Sequence, residues 1–151
     1  MLTQKEQSVA VIGAGIAGAT ATHALGLAGH AVHVFEKSRG AGGRLATRRV
    51  EWVDRLGHAT TTRLDHGAVG FTAGGAAFQG FADLALQAGW LAEWKPELAA
   101  GSAQLEGGAR MYVPVPDMPA LCRHLLDGVP ASWSCAVDGL HKGRLGWQVQ
   151  A

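Results

Sequence analysis

The chain has 151 residues, enough for one hydrophobic core, and its 13 basic against 12 acidic side chains leave a net charge of +1 with no long block of either sign. That balance argues against a nucleic-acid partner and for a small molecule. The 22 glycines are about twice the usual share of ~7% and follow no fixed period, so they are expected to serve local turns.

The expected elements follow in chain order. Val9 to Ile12 is wholly apolar and stops at glycine, the pattern of a parallel strand buried on both faces. A helix is predicted over Ile16 to Ala28, with Ala17, Ala21, Ala24, Leu25 and Ala28 on its packed side. Gly29 and His30 turn the chain into a second apolar strand, Ala31 to Glu36, so residues 8–36 read as a βαβ unit. Residues 37–75, rich in glycine and arginine, read as loops with short strands, within an excursion over 37–116. A helix with Phe78, Phe81, Ala82, Ala85 and Leu86 on its apolar side is predicted over Ala76 to Ala88, ended by Gly89.

Trp90 to Trp94 and Met111 to Val115 are candidate strands, and the stretch between them has no clear pattern. Residues 117–151 should hold a helix capped by Asp117, a third strand over Trp133 to Val137, and a late hairpin. Turns are expected at Asp138-Gly139 and Lys142-Gly143. The fold class is therefore α/β, a Rossmann-like dinucleotide-binding domain with a parallel sheet and helices, spanning 1–151. Only one half of a doubly wound fold is visible, so the domain reads as incomplete.

Three motifs carry chemistry. In the first, Gly13, Gly15 and Gly18 form G-x-G-x-x-G between a strand and a helix, and Glu36 ends the next strand 18 residues after Gly18. Gly13 suits the tight turn, Gly15 the approach of a pyrophosphate, and Gly18 close helix–strand packing. Backbone at Ala14, Ile16 and Ala17 would face the phosphates at the helix N-terminus. Glu36, followed by Lys37, would accept hydrogen bonds from the adenosine ribose. The second motif is Gly42-Gly43-Arg44. It resembles the flavin-containing amine oxidase superfamily, which implies FAD as cofactor and gives Arg44 a place facing the pyrophosphate or flavin; Arg39, Arg48 and Arg49 are weaker candidates.

The third motif, LDHGAVGFTA, together with YVPVPDMPALCRHLL and the tryptophans, is similar to the renalase-like branch of that superfamily. The resemblance implies that His66, Gly67, Ala68, Val69 and Gly70 run beside the isoalloxazine. This sequence departs from the branch at Val69, Gly70 and Asp117. It also implies a dihydronicotinamide- or amine-type electron donor and reoxidation by oxygen.

No catalytic residue, nucleophile elbow or metal-ligand spacing stands out, and Asp54 and Asp65 read as turn or surface carboxylates. The five tryptophans read as packing residues, and Cys122 and Cys135 as buried reduced thiols. No apolar run nears the ~20 residues that cross a bilayer, and the first eight residues lack a signal peptide's apolar core, so a cytoplasmic protein off the membrane is expected. Two other readings stay open: a non-catalytic FAD-binding fragment, and an NAD-dependent dehydrogenase. The first strand lies where a neighbouring strand would pair, so a C-terminal half or self-association through that edge is the expected protein partner.

Overall fold

The computed structural model describes residues 7–95 and 110–151; the stretch without a clear pattern falls largely outside them. Within the chain, two compact units separate, Met1–Arg44 with Cys122–Ala151, and Leu45–Leu121.

In the first unit, β1 (Ser8–Ile12), α1 (Ile16–Leu27) and β2 (Ala31–Glu36) form the expected βαβ unit. A further strand, β8 (Ala131–Trp133), makes the sheet order β1-β2-β8, all parallel. This is a Rossmann-like sheet. The third strand starts and ends earlier than Trp133 to Val137, because Ser134 takes φ 54 and its amide, with that of Cys135, bonds to the carbonyls of Ser38 and Glu36. Those bonds leave the ladder at Trp133.

Helix α1 packs on a different side from the one expected. Its buried residues are Ala19 and Thr22, whereas Ala17, Ala21, Ala24 and Ala28 are exposed. The helix is so uniformly alanine and glycine that periodicity barely distinguishes its faces. The side is chosen instead by Gly18, where an added Cβ would stand 1.9 Å from the Gly13 carbonyl oxygen and 3.4 Å from a Val11 methyl. Only a residue without a side chain lets α1 come that close to β1. The helix ends as its glycine predicts, with Gly29 at φ +83 and the His30 amide bonded to the Leu25 carbonyl.

The late hairpin of this unit pairs β9 (Gly139–Gly143) with β10 (Gly146–Gln150), antiparallel. Its two-residue turn is Arg144-Leu145; Asp138 precedes the hairpin and Lys142-Gly143 lies in the strand. Gly146, at φ 137, supplies the conformation that the turn needs just past its tip.

The second unit opens with a surprise for a glycine- and arginine-rich stretch. β3 (Leu45–Val53) and β4 (Ala59–Gly67) are nine residues each and pair in full register from Leu45↔Gly67 to Val53↔Ala59. The turn between them is organised by Asp54, whose Oδ1 accepts from the amides of Leu56 at 2.8 Å and His58 at 2.9 Å. The short strand β5 (Phe71–Thr72), β6 (Leu91–Trp94) and β7 (Met111–Pro114) form a second sheet, order β5-β7-β6. α2 (Ala76–Gln87) buries Ala82 and Ala85, and Gly89, at φ 73, follows its end. Tyr112 is fully buried, and its hydroxyl accepts a 2.8 Å bond from Gln79 Nε2.

The last helix, α3 (Ala120–Leu125), starts two residues later than a cap at Asp117 predicts. The Asp117 carbonyl accepts from the Ala120 amide while its carboxylate faces Arg63 Nη1 at 3.6 Å. Among the five tryptophans, Trp52, Trp94, Trp133 and Trp147 are 40–66% exposed, so they are not core residues in the described structure: they stand on edge strands and hairpins with one face uncovered. Cys122 is buried and Cys135 half-buried.

Candidate functional site

The first unit brings most of the first two motifs together. Gly13, at φ +99, makes the turn after β1, and its amide bonds to the Phe35 carbonyl at 2.7 Å. The following residue, Ala14, is fully buried and donates its amide to Glu36 Oε2 at 2.7 Å. Glu36 Oε1 accepts from the Ser38 amide at 2.8 Å. Glu36 thus ends β2 as a buried carboxylate, 7% exposed, holding one amide on each oxygen. Burial alone would raise its pKa; the Ala14 and Ser38 amides and the Lys37 charge more than offset this, so the carboxyl stays below its usual range and ionised at neutral pH. Each oxygen of an ionised carboxylate has a further lone pair, so two neighbouring hydroxyls could still be bound.

Gly42 and Gly43 pack against the same turn. The Gly42 amide bonds to the Ala14 carbonyl at 2.9 Å, Gly15 and Gly42 form a parallel bridge, and an added Cβ on Gly43 would stand 3.2 Å from the Gly15 Cα. Gly43 also has φ +58, a conformation that disfavours side chains. The paired glycines therefore bring backbone onto the fingerprint turn itself, a contact that sequence reading did not foresee. The bare G-G dipeptide was its signal.

Gly15 differs from its neighbours. Its backbone, φ −74 and ψ 179, is open to any residue, and an added Cβ would meet nothing closer than the Gly43 Cα at 3.9 Å. The fold does not need glycine there, so the requirement, where it exists, comes from something that approaches from outside. Gly15 caps α1, with no capping side chain and no acidic residue in the first turn. Ile16, Ala17 and Gly18 follow it, so the unpaired amides and partial positive charge of the helix start are left for an anion.

Lys37, Gly43 and Arg44 are exposed, and Arg44 has no ion-pair partner among the described residues. His66, Gly67, Ala68, Val69 and Gly70 belong to the second unit. His66 and Gly67 end β4, and Val69 is 67% exposed. At Gly70, φ +159, an added Cβ would lie 3.0 Å from the Tyr112 carbonyl oxygen, which explains glycine there on packing grounds.

Asp65 accepts from Thr47 Oγ1, and Thr47 Oγ1 accepts from the Met118 amide at 3.2 Å, so this carboxylate is a strand fastening. Among the described residues no group of three or more His, Cys, Asp or Glu could hold a metal ion, and no helix is long and apolar enough to cross a membrane.

Residues 11–84, just under half of the chain, match the model of the NAD(P)-binding Rossmann-like domain family. An L-amino-acid oxidase of Mus musculus is 45% identical over 58 residues, 36% of this chain and 9% of that enzyme. L-amino acid oxidase Cdc18 of Crotalus durissus cumanensis is 42% identical over 57 residues, 37% of this chain and 11% of the relative. The L-amino-acid oxidase of Crotalus adamanteus is 43% identical over 56 residues, 36% and 11% respectively. The aligned stretch thus spans about a tenth of these curated relatives.

Proposed function

We propose that the Rossmann-like domain of this chain binds the ADP part of FAD, and that the chain is the dinucleotide-binding portion of an amine oxidase-like, renalase-like oxidoreductase. One observation carries the reading: a glycine turn, a helix start free of acidic side chains and a buried ionised Glu36 share one corner of the first unit, in a stretch that aligns with L-amino-acid oxidases. When bound, FAD supplies two-electron redox chemistry. The protein's part is recognition. Glu36 would accept hydrogen bonds from the ribose hydroxyls, and its charge would repel a ribose phosphate. The amides at the start of α1 would face the pyrophosphate, and Gly15 would let it approach the backbone. Arg44, exposed and next to Gly43, is the candidate for a second phosphate contact, and His66 to Gly70 for the flavin side. The electron donor proposed is of dihydronicotinamide or amine type, with oxygen as acceptor.

The family description also favours a specific alternative, a nicotinamide dinucleotide at the same turn. Identification of the ligand released on denaturing the purified protein separates the two. FAD, with a flavin visible spectrum, is expected; a released nicotinamide dinucleotide with no flavin would overturn the proposal.

A further inference from the structure

The sheet order is β1-β2-β8, all parallel, so Glu36, at the end of the middle strand, has the glycine turn after β1 on one side and the end of β8 on the other. In register, Glu36 stands opposite Trp133. Side chains alternate between the two faces of a strand. Ser132 Oγ lies 2.9 Å from His33 Nε2, which puts Ser132 on the face of His33 and Phe35, and Trp133 on that of Val34 and Glu36. The last side chain of β8 is therefore an indole beside the buried carboxylate.

The end of β8 is also fastened to the segment that carries this carboxylate. Ser134 takes φ 54, and the amides of Ser134 and Cys135 bond to the carbonyls of Ser38 and Glu36, each at 2.9 Å. Residues 131–137 carry no charged side chain, and Trp133 is 41% exposed. An uncharged aromatic surface next to a carboxylate with free lone pairs suits a ligand that joins a flat ring to a diol.

We infer that Trp133 carries the adenine ring of the dinucleotide, stacked on its indole. This rests on the reading of Glu36 as the ribose ligand. The pyrophosphate belongs in that reading to the start of α1, after β1, and the ribose to the end of β2. A ribose holds its phosphate on C5′ and its base on C1′, at opposite ends of the ring, so a base whose phosphate points toward β1 leaves toward β8. There it meets Trp133. Stacking reads the flat face of a base and not its edge, so this side chain favours a two-ring purine over a one-ring pyrimidine.

Calorimetric titration of ADP, UDP and FAD into the 151-residue chain and into its Trp133→Ala and Trp133→Phe variants tests the assignment, with circular dichroism on each sample. Wild type should bind ADP more tightly than UDP. Trp133→Ala should bind FAD and ADP about tenfold more weakly and lose most of the preference for ADP over UDP, a change that a purely structural role would not produce; Trp133→Phe should keep both. ADP should also quench part of the tryptophan emission of wild type and leave that of Trp133→Phe unchanged, which decides the question should Trp133→Ala unfold. A folded Trp133→Ala protein that binds FAD and ADP as wild type does overturns the inference and leaves the FAD reading standing, as does quenching that survives undiminished in Trp133→Phe. A wild type that binds neither FAD nor ADP overturns both.

Discussion

The β1–α1–β2 arm and the β3–β4 hairpin are built from opposite materials. In the arm, geometry is set by side chains that are missing: Gly18 admits α1 to within contact of β1, Gly13 turns, and Gly43 lies on Gly15. In the hairpin it is set by side chains that are present: Asp54 holds the turn, and Thr47 and Asp65 tie the two strands to the Met118 amide. The arm should therefore fail when atoms are added, and the hairpin when they are removed.

Adding atoms at Gly18 should have the largest effect. Even Gly18→Ala sets a Cβ against a backbone oxygen that cannot swing away, and overpacking of this kind should lower stability by about 3 kcal/mol or more. Thermal or urea unfolding reads it directly, and a variant of wild-type stability would mean that α1 does not sit on β1 as described.

The buried carboxylate in the arm's corner comes next. Glu36→Ala leaves the Ala14 and Ser38 amides without their acceptor, at a cost of about 2 to 3 kcal/mol. Because the folded carboxyl is held below its ordinary range, its contribution is fully present above that range and disappears as pH falls through the depressed value. Urea midpoints for wild type and Glu36→Gln should therefore diverge near neutral pH and converge in acid. A constant gap across the titration would contradict the ionised, amide-bound carboxylate.

Removing atoms from the hairpin should cost less. Thr47→Val deletes the hydroxyl that donates to Asp65 and accepts from Met118, and about 1 kcal/mol should be lost in urea unfolding. A neutral result would leave the strands held by their backbone ladder alone. The smallest effect is expected at Thr22, whose buried Oγ1 has no hydrogen-bond partner among the described residues. Thr22→Val keeps the shape and removes the unpaired group, so stability should hold or rise by less than about 1 kcal/mol; a clear loss would show that the hydroxyl is bonded in solution.

The same contrast explains what the sequence made legible. β1, β2 and the glycine turn between them were readable because an apolar run and a glycine-limited turn restrict residue type, although β1, expected to be buried on both faces, has none of its five residues buried among the described residues. The packed side of α1 was misread because alanine on every side leaves no period to follow; only Gly18 marked it. The β3–β4 hairpin was hidden by its arginines. Its pairing rests on cross-strand neighbours such as Val50↔Thr62 and Trp52↔Thr60, which are invisible until the register is known, although Thr60 to Thr62 and the Asp54 turn were clues. Within the candidate site, the fingerprint and Glu36 could be read in advance, whereas the contact of Gly43 with Gly15 needed coordinates. That contact also isolates Gly15 as the one fingerprint glycine whose own fold would accept a side chain.

Titration of FAD into wild type and Gly15→Val, followed by flavin fluorescence with circular dichroism on the same samples, tests the central claim most directly. The account predicts that the variant stays folded, because the first added carbon meets only ordinary contacts, and that it loses FAD binding, because a branched side chain then stands where the pyrophosphate approaches. A folded Gly15→Val protein that binds FAD as wild type does would contradict the account and move the cofactor away from the glycine turn.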